Sequence, residues 1–200
     1  MERFVWICAR VLFYPTLIWN VLLSRVLNLR NWWDEIDEWV ILGAMPFSFD
    51  VSRLSDMGVK AVLNLCEEYG GPEEAYRDAG IEELRLPTVD YSSPSLQTVE
   101  RGIEFIESHV ALGHRVYVHC KAGRGRSATV VLCWLLKSKG LNNPKCAMEY
   151  LIKRRPHVSK GIHERGVVRE FCENIKGYTS NGLSNMPNYG TIPLISNRKE

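Results

Sequence analysis

Val118-His119-Cys120-Lys121-Ala122-Gly123-Arg124-Gly125-Arg126-Ser127 is the stretch on which the reading of this chain turns. It lies between two apolar runs. Arg115-Val116-Tyr117-Val118 reads as a strand, and Ser127-Ala128-Thr129-Val130-Val131-Leu132 reads as the start of a helix. A glycine-rich turn between strand and helix can close its backbone around an anion, because the free N–H groups and the positive end of the helix converge there. Gly123 and Gly125 permit the backbone angles and the close approach that such a ring needs. The N–H groups from Lys121 through Ala122, Gly123, Arg124 and Gly125 to Arg126 would then point inward as a phosphate cradle.

Cys120 sits at the centre of that field. A free thiol has a pKa of about 8.5, and electropositive sites of this kind lower it to roughly 3.5–7.5. Cys120 is therefore predicted to be a thiolate nucleophile towards phosphorus. Arg126 presents a planar fork that can hold two phosphoryl oxygens. The Ser127 hydroxyl can donate to the sulfur when it leaves. His119 orders the loop through hydrogen bonds rather than acting as a base. A leaving alkoxide needs a proton from a carboxylic acid on another loop. Asp90, in the polar segment Asp90-Tyr91-Ser92-Ser93-Pro94, is the candidate, and the alternative is a turn-capping carboxylate.

Outwards from this loop the pattern alternates. Strands are expected at Val40–Leu42, Val59–Cys66, Glu82–Val89 and Val116–His119. Helices are expected from Asp50 to Gly58, Pro72 to Ala79, from Ser95, Arg126 to Lys139, from Asn143-Pro144, and Ile162 to Lys176. The Arg126–Lys139 helix is apolar nearly all round and so should be central. The fold class is α/β, with a central, mostly parallel, twisted sheet flanked by helices on both faces.

The chain has 200 residues, 46% of them hydrophobic, which suits one globular domain with a core. A formal net charge of +2 is too small to argue for nucleic acid as a partner. The six cysteines are scattered, without zinc spacing, and read as reduced. Three segments follow: 1–31, an apolar, basic targeting or membrane-anchoring stretch; 32–176, the catalytic domain; and 177–200, a loose tail rich in Ser, Asn, Gly and Pro. Residues 4–23 are long enough to span a bilayer, although Arg10 and Pro15 interrupt them. A helix packed on the domain's own core is the alternative.

His119-Cys120, five further residues, Arg126 and Ser127 resemble, without a gap, the signature of the cysteine-based protein tyrosine phosphatases. Other features are similar to the mitochondrial dual-specificity-type phosphatases that act on phosphatidylglycerophosphate: Arg10 to Leu17, Leu42-Gly43-Ala44-Met45-Pro46, Glu67-Glu68-Tyr69, Leu84-Arg85-Leu86, Thr88-Val89-Asp90 and Tyr117 to Arg124. Gly70-Gly71 after Tyr69 departs from that family's pattern. The resemblance implies a dual-specificity phosphatase-like fold, a phosphocysteine intermediate and no metal or cofactor. It also implies an anionic phospholipid substrate at a membrane surface, in cardiolipin biosynthesis at the mitochondrial inner membrane. Dephosphorylation of phosphotyrosine, phosphoserine or phosphothreonine in proteins, or of phosphoinositides, is the alternative. A non-catalytic phosphate-binding module is a third reading, and Cys120, Arg126 and Asp90 speak against it.

Within this frame Lys121 and Arg124 add cations that suit a second lipid phosphate, or are solvated rim charges. Arg154, Arg155 and His157 reinforce the positive face or stabilise a helix end. Glu67 is expected to brace Arg126 by an ion pair. Cys66, at the end of a strand, is implied by superfamily resemblance as a redox partner of Cys120, against the simpler reading of a small buried residue.

Overall fold

The computed structural model describes residues 13–141 and 143–180. Residues 1–12 of the expected anchoring segment and residues 181–200 of the expected tail lie outside the described residues. Strand β5, Arg115–His119, occupies the middle of the sheet, because Val116, Tyr117 and Val118 are apolar towards both faces and fully buried. It lies between β2, Val40–Gly43, and β3, Val59–Cys66, both parallel to it. Beyond β3 lies β4, Glu82–Thr88, also parallel, and beyond β2 lies the short β1, Trp33–Glu35, antiparallel.

The two-residue period of the strands splits the core. Val40, Leu42, Val116 and Val118 face one layer, whereas Ile41 and Tyr117 face the other. The larger layer holds α4, Leu96–Val110; α5, Arg126–Ser138; α6, Pro144–Arg154; and α7, Gly166–Ser180. Helix α5 buries every residue from Arg126 to Leu136, and each large apolar side chain so covered contributes about 1.5–3 kcal/mol. On the other face lie α2, Val51–Asp56, and α3, Glu73–Asp78. Residues 13–21 form a helix, α1, that passes into a π-helical turn at Leu22–Val26. Leu17 and Val21 pack on the smaller core layer.

Local signals act where expected. Ser95 Oγ accepts from the Thr98 N–H, and Asn143 Oδ1 from the Lys145 N–H ahead of Pro144. Asp50 precedes α2 as expected, but its side chain does not cap that helix. Its carboxylate accepts from the Phe47 N–H and pairs with Arg25 at 2.6 Å, tying the N-terminal segment to the domain. Three expectations are corrected. Strand β1 was not anticipated, since it is three residues long with two acids; Asp37 Oδ1 shapes its hairpin by accepting from the Trp39 and Val40 N–H groups. The chain leaves β4 at Thr88, before Val89. The last helix runs through residues 177–180, past the expected start of the tail.

The register places Gly43, Asn64 and His119 side by side, with Cys66 opposite Thr88. The carboxyl ends of four parallel strands thus meet on one edge, where ligands bind in open α/β sheets. Packing there is tight. A Cβ on Gly43 would lie 2.0 Å from Tyr117 Oη and 2.8 Å from Trp33 Cβ. Gly43→Ala is therefore expected to destabilise by roughly 1–3 kcal/mol through overpacking. Gly161→Ala, with open space around it and no positive φ, is expected to change stability far less. Urea unfolding of the two variants checks the contrast.

Candidate active site

The loop from Cys120 to Gly125 joins β5 to α5 and curves back on itself. Gly123 has φ +64, and a Cβ there would lie 2.4 Å from the Gly43 carbonyl oxygen, so only glycine fits. The outward carbonyls are held from outside. Lys121 O accepts from Met45 N, and Arg124 O from Ser159 N. Arg155, 1% exposed, donates to Gly123 O at 2.9 Å and Ala122 O at 3.1 Å, and pairs with Asp34 at 2.6 Å. With the carbonyls fixed outward, N–H groups turn in: those of Ser127 and Arg124 donate to Cys120.

The Ser127 hydroxyl donates to Cys120 Sγ at 3.1 Å. Burial alone would raise the Cys120 thiol, but the Arg126 charge and the hydrogen bonds from Ser127 and Arg124 outweigh it and bring the pKa down to about 7. His119 is fully buried, with Nδ1 3.4 Å from Cys120 O. Burial, helped by the Arg126 charge, pushes its imidazole down to about 3, so it is neutral at physiological pH and serves the loop as a scaffold.

Arg126 Nη1 donates to Glu68 Oε2 at 2.9 Å and to Thr88 O at 2.7 Å. Its Nη2 lies 3.0 Å from Asp90 Oδ1 but makes no well-directed hydrogen bond, which leaves that arm for an incoming oxygen. Burial works against the guanidinium charge, yet the charges of Cys120, Cys66, Asp90 and Glu68 hold its pKa above the ordinary value. The brace is thus Glu68, and the expectation for Glu67 is corrected. The chain bends at residues 67 and 68 as it leaves β3, and it is Glu68 that this bend brings to Arg126.

Lys121 lines the cavity over Cys120, and it is not a solvated rim charge. It is 6% exposed, and its ammonium donates to Asp90 Oδ2 and, at 2.9 Å, to the Thr16 hydroxyl of α1. The rings of Phe13 and Tyr91 lie on either contact of the same ammonium, each at 5.3 Å. Asp90 is therefore held between two cations at the mouth of the loop, and its own N–H donates to Glu68 Oε1. Cys66 is fully buried, and burial pushes its thiol well above the ordinary range; its charge and that of Cys120 act on each other.

A cavity of about 370 Å³ opens over Cys120. Gly125, Arg124 and Arg126 line its floor and wall, and Arg30, Arg165 and the α1 residues Thr16, Trp19 and Asn20 complete it. Glu68, Arg155, Thr16, Arg30 and Arg165 were not assigned to the site from sequence. The doublet Arg154-Arg155 was noticed, but nothing in it distinguishes the inward Arg155 from Arg154, whose guanidinium stacks on Tyr150 at 3.7 Å.

A buried thiolate in a ring of N–H groups, a braced arginine fork and a carboxyl group at the mouth define a cysteine-based phosphoryl-transfer site. Residues 40–174 match the family model for the dual specificity phosphatase catalytic domain. The phosphatidylglycerophosphate phosphatase PTPMT2 of Arabidopsis thaliana is 42% identical over 166 residues, 82% of this chain and 72% of that protein. The phosphatidylglycerophosphatase and protein-tyrosine phosphatase 1 of Mus musculus is 40% identical over 176 residues, covering 84% of this chain and 91% of that protein. The crystal structure of PTPMT1 superposes with a TM-score of 0.68 at 37% identity, over 75% of this chain and 99% of that one. The chain belongs to the dual-specificity phosphatase catalytic-domain family, and it is a cysteine-dependent phosphatase.

The two adjacent glutamates separate the roles. Glu68→Gln is expected to lower kcat/KM on p-nitrophenyl phosphate by about 10–100-fold, the equivalent of one charge-assisted hydrogen bond. Glu67→Gln is expected to leave it within about twofold, since that carboxylate makes no ion pair with Arg126. Steady-state kinetics of both variants measure the difference.

Proposed function

We propose that this phosphatase hydrolyses the terminal phosphomonoester of phosphatidylglycerophosphate, giving phosphatidylglycerol and phosphate. The Cys120 thiolate attacks phosphorus in line with the departing glycerol oxygen. Arg126 and the loop N–H groups hold the equatorial oxygens, and Asp90, protonated, passes its proton to the leaving alkoxide. The resulting Asp90 carboxylate then takes a proton from water, whose oxygen attacks the phosphocysteine. The thiolate departs with Ser127 donating to it, and phosphate is released. Asp90 begins the next turnover with a proton.

The observation that carries the choice of substrate is the charge of the mouth. Arg30, Arg124 and Arg165 line the cavity beside Cys120, and among the described residues no carboxylate lies within ion-pair distance of any of them. Arg124 and Arg165 are both lowered, by burial first, and Arg30 adds to the effect on Arg124. Burial and the charges of Arg155, Arg30 and Arg124 push His157 down to about 3, so this corner holds fixed positive charge with no spare proton site. A phosphodiester a few bonds from the scissile phosphomonoester supplies the missing negative charge. The Arabidopsis and mouse relatives carry this activity in their names, and PTPMT1 has been crystallised in complex with PI(5)P. In this reading the enzyme acts in the mitochondrion at the inner membrane, on the route to cardiolipin, and the apolar N-terminal segment brings it there.

Phosphate release from phosphatidylglycerophosphate in mixed micelles is expected to exceed that from a phosphotyrosine peptide, with Cys120→Ser as the blank. Arg30→Ala and Arg165→Ala are each expected to lose about tenfold or more on the lipid, and several-fold less on p-nitrophenyl phosphate. A preference for the peptide, with equal losses on both substrates, would instead favour a protein phosphatase.

A further inference from the structure

The N-terminal segment, α1 with the π-helical turn after it, is apolar on both sides, with Leu17 and Val21 on the core and further large apolar side chains facing outward. Its buried positions include the polar Asn20 and Ser24 beside Phe13 and Leu23, each no more than 9% exposed. Arg25 turns inward to Asp50. The outward positions are apolar: Tyr14 is 69% exposed, Ile18 67%, Trp19 59% and Val26 65%, and Leu27 and Leu29 follow at 50% and 69%. A surface helix ordinarily turns polar residues to solvent, and an exposed apolar face of this kind marks a binding surface.

The surface is continuous with the catalytic cavity. Thr16, Trp19 and Asn20 of α1 form one wall of the cavity over Cys120, and Thr16 also holds Lys121. On the opposite rim Tyr91 is 64% exposed, with φ +64. Arg30, Arg124 and Arg165, which have no carboxylate at ion-pair distance among the described residues, line the same mouth. Apolar side chains next to uncompensated arginines match the layering of a phospholipid surface, acyl chains below and phosphates above. Among the described residues no helix is long and apolar enough to cross a membrane.

We propose that the outward face of α1, with Leu27, Leu29 and Tyr91, lies in the interface of a bilayer containing anionic phospholipid, parallel to its plane, so that the catalytic cavity opens directly onto the headgroup layer. This rests on the lipid-phosphatase reading and adds the docking surface and its orientation. A lipid headgroup then enters the cavity past Trp19 and Tyr91 while its acyl chains stay in the bilayer. Thr16 and Lys121 connect the docked helix to Asp90.

The test uses the full chain and vesicles of phosphatidylcholine with phosphatidylglycerol. Ile18 and Val26 neither line the cavity nor pack on the core, so the double variant Ile18→Asp/Val26→Asp alters only the outward face. Wild-type protein is expected to co-float with these vesicles and to bind more weakly to phosphatidylcholine alone. The variant is expected to lose about tenfold or more in vesicle partition. Its retained hydrolysis of p-nitrophenyl phosphate will show that it is folded. Equal partition of wild type and variant would overturn the proposal. So would a wild-type dimer in sedimentation that the double variant dissociates, since the face would then join two copies of the chain. Vesicle binding that depends on Ile18 and Val26, together with a preference for a phosphopeptide, would sink the lipid-substrate reading and leave the docking surface standing.

Discussion

A ring of backbone N–H groups can face an anion only if the intervening carbonyls find partners on the outside, and this constraint organises much of the molecule. Met45 N, Ser159 N and the guanidinium of Arg155 supply those partners, from the end of β2, the segment after α6 and the end of α6. The Gly123 carbonyl would otherwise be buried without a donor, at a cost of about 1–3 kcal/mol. Arg155 is itself a buried charge and needs Asp34 beside it. The short β1, which carries Asp34, thus belongs to the site although it lies at the edge of the sheet. The close approach of Gly43 to Gly123 belongs to the same device, since it brings β2 against the outside of the ring.

Inside the ring the charges close on one another. Cys120 faces Arg126; Arg126 faces Glu68 and Asp90; Asp90 faces Lys121. Each buried charge has an opposite neighbour, which is what makes such a cluster tolerable away from water. In the proposed mechanism an arriving phosphate competes with Asp90 for the Nη2 arm of Arg126. A carboxyl group displaced from that arm stays beside the mouth, held by Lys121, where the leaving oxygen emerges. Glu68, which grips Arg126 and the Asp90 backbone together, keeps the arginine in register as this exchange takes place.

Much of this was legible in the sequence. Four strands carried apolar runs bounded by glycine or polar turns, and the loop from His119 to Ser127 declared both its geometry and its chemistry. Asp90 could be found because it follows a strand whose end must lie at the same edge. What stayed hidden depends on juxtaposition. Glu67 and Glu68 are chemically alike, and only the twist of the chain past Cys66 selects one. Lys121 sits in the loop like a substrate contact, yet its side chain folds inward to Asp90 and α1. Arg155 looked like a helix-end charge, because no local pattern shows that a loop carbonyl will lie above it. The outward apolar face of the N-terminal segment is hidden in a run that is apolar on both sides, since no local pattern tells which residues the domain covers.

Carbonyl restraint from outside turns the loop N–H groups inward, where they act together with the Arg126 charge on Cys120. The rate of Cys120 alkylation by iodoacetamide, followed by peptide mass spectrometry across pH, tests it most directly. A midpoint near the thiol pKa of about 7 is expected in the wild-type protein, and a higher one in a folded Arg155→Met variant as the ring relaxes. A wild-type midpoint already at the ordinary thiol value, or one that a folded Arg155→Met variant leaves unmoved, would contradict it.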